Sequence, residues 1–456
     1  MSTVLIITLG TSPEPIINCI SSLRPDRVVF LCSTESQVLV DTVLSKVPLH
    51  DFQAERDLVV LQQRLSGKGS DGVENELDQL DRVYIRALDL FLRVRDEDRG
   101  CRIIADYTGG TKTMTTGLAM AAIDDGDVKL HLTVTDRSRG QSAISGYSSP
   151  VAVSTAAIHA RRLRDRELPS LLKRHDYEAA RQAVRRVQAI VDPDADTRQW
   201  LQWLEALLVG LDAWDRFDHR RALDVLEGLG DRRLHQPLLF PLKRVIGSRR
   251  LLDQEAEEQR WPQMKGHGLE AVEDLLRNAE RRAGQERYDD AVGRLYRAME
   301  LTEQLLLKIG VCEQVGPEGI LTGDVDLERL PEALQPRWQA KAAQSHAGQP
   351  SAKPRPLKIG LADGFDLLAD LGHPTGLEWQ QRRAELINAI NTRNSSLFAH
   401  GFQPVDYSGW RELSSRLGGF LQAAIQRHSL DHGSRRGEAL ALPQLPTSLV
   451  ELISVG

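Results

Sequence analysis

The feature that most limits how this chain can fold is a change of hydrophobic pattern near residue 155. Before it, four short apolar runs rich in β-branched residues alternate with helix-like stretches: TVLIITL (3–9), RVVFLCS (27–33), CRIIADY (101–107) and VKLHLTVTD (128–136). Runs of this length and composition read as buried strands. The clearest helix between them, NELDQLDRVYIRALDLFLRV, carries Leu77, Leu80, Val83, Tyr84, Ala87, Leu88 and Phe91 on one face. Alternating strands and helices predict a Rossmann-like α/β domain with a parallel sheet over residues 1–154.

After about Thr155 the strand signal fades. HDYEAARQAVRRV, RQWLQWLEALLVGLDAW and HRRALDVLEGL read as amphipathic helices, some with an aromatic a few residues before alanine, as in helical hairpin repeats. Tyr177, Phe217 and Tyr288 are unevenly spaced, so no regular repeat is assigned. A second helical block begins near Gly268 with a long helical pair reaching Gly310, and the small, proline-rich stretch 340–356 reads as a flexible loop. The expected organisation is an α/β domain (1–154), a helical connecting region (155–267) and an all-α domain (268–456), in keeping with 456 residues.

Composition narrows the function. A formal net charge of -6 gives no global attraction to nucleic acid, so any such contact must be local. Cys19, Cys32, Cys101 and Cys312 are scattered with no CxxC pair, which supports neither a zinc ribbon nor a redox motif. The N-terminus has no basic leader, and no apolar run nears the roughly 18 residues of a membrane span, so no membrane contact and a cytoplasmic location are expected.

Two constellations could carry chemistry. The first is ADYTGGTKTMTTGLAMAAI (105–123), where a strand ends, two glycines follow and a helix begins at about Thr113. Gly109 and Gly110 permit unusual dihedrals and close approach to a ligand, and the helix start offers free N–H groups to an anion. Lys112 adds charge, while Thr108, Thr111 and Thr113 add hydroxyls. The spacing matches neither a P-loop nor GxGxxG. Two further strands end in small polar loops, Gly10-Thr11-Ser12-Pro13 and Ser33-Thr34-Glu35-Ser36. In an open parallel sheet, ligands bind beyond the carboxyl ends of the strands, so phosphate or nucleotide binding is the reading. The alternative is that these are simply good turn and cap residues.

The second is INAINTRNSSLFAHGF (387–402). Steps of seven place Trp379, Leu386, Arg393 and His400 on one helical stripe, with Ile390 and Leu397 beside them. A cation and an imidazole on an apolar stripe cost free energy unless paired or used. A histidine of reference pKa about 6.5 can move a proton near neutral pH, and an arginine can steady charge on a phosphate. That pair suits metal-free cleavage of RNA by its own 2′-hydroxyl, with Asn394 and Ser395 able to orient the phosphate. Against it, His400-Gly401 has the form of an ordinary helix end. His428 and His432 lie four apart but lack the glutamate of HExxH and a third ligand, so no metal is expected there. Basic runs at Arg137 and Arg161 read as solvated surface.

Taken together and in this order, the two constellations resemble the CARF–HEPN ribonucleases of type III CRISPR systems. TLGTS and DYTGGTKTM carry the N-terminal part of the resemblance; Arg393-Asn394, with six residues between Arg393 and His400, carries the C-terminal part. It implies a homodimer in which paired CARF domains bind cyclic oligoadenylate, of tetra- or hexa-adenylate size, as an allosteric activator, with no cofactor required. It further implies a composite HEPN site cutting single-stranded RNA, with His400, Arg393 and Asn394 catalytic. Gly109, Gly110, Thr111 and Lys112 become ligand-loop residues with Thr11 and Ser12 opposite, the loop reading itself adds Gly10, Thr34, Thr108 and Thr113 to the expected ligand site, and some members slowly cut their activator there. Arg297 and Glu300, one turn apart, read as a surface ion pair rather than a support for the site. The competing function is a sensor whose helical half only recruits a partner.

Overall fold

The computed structural model describes residues 1–47, 49, 51–61, 76–135, 148–190, 194–250, 252, 266–316, 320, 325–345, 357, 359–394, 403–432 and 442–449. They form two compact units, Met1–Leu163 with Val184–Leu201, and Arg164–Ala183 with Gln202–Gly456.

The first unit is built on six strands: β1 (Thr3–Leu9), β2 (Arg27–Ser33), β3 (Leu58–Leu61), β4 (Arg102–Asp106), β5 (Lys129–Thr135) and β6 (Ser148–Ala152). Their order in the sheet is β3-β2-β1-β4-β5-β6. Strands β1 to β5 are mutually parallel, with Ile6 of β1 opposite Val29 of β2 and Ala105 of β4. The expectation of a parallel sheet needs one correction, because β6 runs antiparallel to β5. That strand, SSPVA, is largely exposed and carries Pro150, which cannot donate a ladder hydrogen bond and is tolerated at a sheet edge.

Both faces of the central strands are buried. Val4, Ile6, Val29 and Ala105 face Ala87, Phe91 and Val94 of helix Leu80–Glu97 and Leu118 and Ala121 of helix Lys112–Asp125. On the other side Leu5, Ile7, Val28 and Phe30 pack with Ile16, Cys19 and Ile20 of helix Glu14–Leu23. This is why the strands read as continuous apolar runs.

The second unit is helical, and three of its corners share a device. His175, Phe217 and Glu286 have positive φ values of 52°, 64° and 61°, and each is followed five residues later by a fully buried alanine, Ala180, Ala222 and Ala291. In two corners the next residue caps the following helix: Asp176 accepts from the Ala179 N–H at 3.1 Å and Asp218 from the Arg221 N–H at 3.2 Å. Alignment on the αL residue makes Tyr177, His219 and Tyr288 equivalent, so Phe217 belongs to the corner rather than to the aromatic position. The main core of this unit joins helices Glu270–Gly284, Tyr288–Ile309, Leu361–Asp370 and Pro374–Asn394.

Candidate functional sites

The loops after β1, β2 and β4 lie at one edge of the sheet because those strands are parallel neighbours. Two of them approach closely through their backbones. A Cβ on Gly10 would stand 2.5 Å from the Gly110 nitrogen, and one on Gly109 would stand 2.6 Å from the Thr8 carbonyl oxygen. Gly110 itself has a φ of +99°. No side chain fits at either contact, which explains glycine on both loops.

A buried polar cluster holds this edge. The Asp106 carboxylate, fully buried at the end of β4, accepts from the Thr108 N–H at 2.9 Å, the Thr133 hydroxyl at 3.1 Å and the Cys19 thiol at 3.4 Å. Burial, followed by the Asp106 charge, pushes the Cys19 thiol far above its ordinary pKa, so it is a protonated donor. After β2, the Ser36 hydroxyl accepts from the Ser33 N–H at 2.9 Å and donates to the Leu9 carbonyl at 2.9 Å, tying that loop to β1.

The expected ligand residues divide by exposure. Thr11, Ser12, Thr34, Gly110, Thr111 and Lys112 are exposed, while Gly10, Thr108, Gly109 and Thr113 are half-buried. Helix Lys112–Asp125 begins one residue earlier than expected, with the Thr111 hydroxyl accepting from the Met114 N–H at 3.2 Å. The Thr108 hydroxyl accepts from the Thr133 N–H at 2.6 Å, so it braces β5. The edge thus presents an exposed lysine, several hydroxyls and a helix start around two touching glycine loops, which suits a phosphate-bearing ligand. Asp106 and Cys19 escaped sequence reasoning as members of this edge; the available signal was an acidic residue closing an otherwise apolar run.

In the second unit, helix Pro374–Asn394 carries Arg393 and Asn394 in its last turn. Its stripe begins in the core: Trp379 and Leu386 are fully buried. Trp379 stacks on Phe365 with centroids 4.8 Å apart and donates its indole N–H to Asp366 at 2.9 Å. Burial opposes ionisation of Asp366, but bonds from Arg383 and Trp379 outweigh it and hold the carboxyl below its ordinary pKa. The helix is therefore anchored, and the cation at position 393 follows two core positions on the same stripe. Its side chain, that of Asn394, and the whole of Ser395 and His400 lie outside the described residues, as do 346–356; residues 340–345, expected to be loop, instead end helix Gln335–Ser345.

Arg297 and Glu300 form the expected ion pair, at 3.2 Å. His428 is buried and its Nε2 bonds the His267 carbonyl oxygen at 2.8 Å. The His432 side chain lies outside the described residues, among which no group of metal-ligating side chains is found. No described helix is long and apolar enough to cross a membrane.

Residues 263–424 match the family model of the Csm6 HEPN domain. Enterococcus italicus Csm6, solved bound to cyclic hexa-2′-fluoro-hexa-dAMP, superposes with a TM-score of 0.54 at 14% identity, covering 93% of this chain and 95% of that one. Protein VC1899 from Vibrio cholerae aligns over 65% of this chain and 68% of its own at 8% identity, but its TM-score of 0.22 is too low to carry an argument. No curated protein sequence matches. The chain therefore shares the fold of the Enterococcus protein and, over residues 263–424, carries a domain that matches the Csm6 HEPN domain.

Proposed function

We propose that this ribonuclease cuts single-stranded RNA when cyclic oligoadenylate occupies the glycine-rich edge of its first unit. The observation that carries this reading is the presence, in one chain, of a Csm6-type HEPN domain and a parallel sheet whose β1 and β4 loops meet through backbone at Gly10 and Gly110. On this reading residues 1–154 are the sensor, 155–267 the connecting helices and 268–456 the nuclease, in a cytoplasmic protein. A ring of the six-nucleotide size held by the Enterococcus protein is the first to test, beside the tetra-adenylate.

Two chains pair, so that a symmetric ring meets two copies of Gly109, Gly110, Thr111 and Lys112, with Thr11 and Ser12 opposite. Pairing also brings two copies of Arg393 and His400 into one cleft. There His400 takes the proton from a ribose 2′-hydroxyl, whose oxygen attacks the neighbouring phosphate. Arg393 stabilises the added negative charge, Asn394 orients the phosphate, and the bond from phosphorus to the 5′-oxygen breaks as that oxygen receives the proton His400 took up. The strand ends are a 2′,3′-cyclic phosphate and a 5′-hydroxyl, and no metal takes part. The proposal includes slow cutting of the ring, with Thr11, Ser12, Thr111 and Lys112 holding a ribose hydroxyl in line with its phosphate. Activation requires tighter ring binding to the cutting arrangement than to the idle one.

The test is cleavage of a fluorescent single-stranded RNA in EDTA, with cyclic tetra-adenylate, cyclic hexa-adenylate or neither, for wild type and His400→Ala. Cleavage that needs one ring, persists in EDTA and is lost in the variant is expected. Ring binding without cleavage would instead make the helical half a recruitment module.

A further inference from the structure

The second unit contains a cleft of about 900 Å³ that neither candidate site uses. That volume is in the range of pockets that take an organic ligand. None of its described lining residues comes from helix Pro374–Asn394. Three arginines, Arg249, Arg294 and Arg297, reach it, and no aspartate or glutamate is among the described lining residues. Phe217, Leu275, Leu301 and Leu305 supply an apolar wall.

The cations are held in place from behind. Arg249 bonds the Phe217 carbonyl at 3.3 Å and His219 Nδ1 at 3.0 Å, while His219 Nε2 meets Asp274 at 2.8 Å. Arg294 donates to the Asp290 carbonyl at 2.9 Å, and Arg297 is steadied by Glu300 at 3.2 Å and Gln304 at 3.3 Å. Planar guanidinium groups with fixed stems suit phosphate oxygens, and an apolar wall with an aromatic ring suits a base.

A second observation comes from Gly293, which also lines the cleft. It lies inside helix Tyr288–Ile309, where glycine costs about 1 kcal/mol relative to alanine. A Cβ there would meet nothing within 4 Å, so packing among neighbours does not call for glycine. Its effect is to widen the cleft.

We propose that this cleft binds a nucleotide phosphate, supplied by the single-stranded RNA substrate at a point away from the scissile bond. The inference rests on the ribonuclease reading above and adds a subsite to it. The test is fluorescence anisotropy of a labelled 2′-O-methyl oligonucleotide, which cannot be cut, with wild type, Arg297→Gln and Gly293→Leu, and with free AMP as competitor. Arg297→Gln should weaken strand binding several-fold and lower the slope of log affinity against log salt by about 1. Gly293→Leu, which fills the cleft while favouring the helix, should weaken it about tenfold or more. Thermal melting checks that both variants fold; if Gly293→Leu does not, Arg297→Gln alone decides. Strand affinity equal to wild type in the folded variants overturns the proposal, as does a change only in sedimentation, which would make the cleft a contact between copies. Loss of AMP binding with strand binding intact overturns the RNA source and assigns the cleft to free nucleotide. A wild type that neither binds nor cuts RNA sinks the ribonuclease reading itself, whereas cutting and binding unaltered by either substitution sink only the cleft.

Discussion

Replacing Gly10 with alanine tests whether contact between the two glycine loops is what makes the proposed ring site. The new methyl carbon would lie 2.5 Å from the Gly110 nitrogen and 3.0 Å from its Cα, both backbone atoms that no rotamer change can move aside. The loops must part by roughly 1 Å to restore ordinary contact, and forced overpacking of this kind costs about 1–3 kcal/mol. If ring binding needs the closed edge, affinity should fall by roughly 5- to 150-fold, at 1.4 kcal/mol per tenfold. Calorimetric titration with the activating ring measures this, and thermal melting reports the part of the strain that appears as lost stability. Gly100→Ala is the control. Gly100 has a φ of +87° and open space around a Cβ, and it precedes β4 at the opposite edge of the sheet. It should lose about 1–2 kcal/mol of stability through its left-handed backbone while leaving ring affinity unchanged. A Gly10→Ala protein with wild-type melting and wild-type ring affinity would refute the argument.

Two further predictions concern the helical unit. Burial, followed by the charge of nearby Glu300, pushes the Glu303 carboxyl up to about 8, so it is mostly neutral at pH 7 in the folded chain. Because the unfolded chain ionises near 4.5, this residue makes stability fall as pH rises between about 4.5 and 8, by about 1.4 kcal/mol per pH unit. Glu303→Gln should remove that slope in urea unfolding at pH 5, 6.5 and 8, and parallel pH curves for variant and wild type would count against it. Trp379→Phe keeps an aromatic ring beside Phe365 but deletes the indole bond to Asp366 at 2.9 Å. A loss of about 1.5–3 kcal/mol in urea unfolding is expected, and no loss would mean that Arg383 alone satisfies the carboxylate.

Much of the first unit was legible because its strands are buried on both faces and therefore apolar throughout. β1 and β2 match the runs 3–9 and 27–33 residue for residue. β3 escaped notice because LVVL is only four residues long, and β6 because an exposed edge strand has no hydrophobic signature. The face of helix Leu80–Glu97 was read slightly out of phase: Leu80 is exposed, and Leu90 and Val94 complete the buried stripe. In the helical unit the corners looked irregular when aligned on aromatics. Backbone conformation, which composition does not record, aligns them on His175, Phe217 and Glu286.

By itself the sequence determined the order of elements, the small polar loops that end the parallel strands, and the seven-residue stripe that carries Arg393 past Trp379 and Leu386. Those are local properties, set by periodicity and turn chemistry within each element. Only the tertiary structure decided that Gly10 approaches Gly110, that the Thr108 hydroxyl goes to β5, that Asp106 gathers Cys19 and Thr133, and that Arg249 reaches the cleft lined by Gly293, Arg294 and Arg297. Each of those facts joins residues distant in the chain, and local pattern carries no information about which distant groups meet.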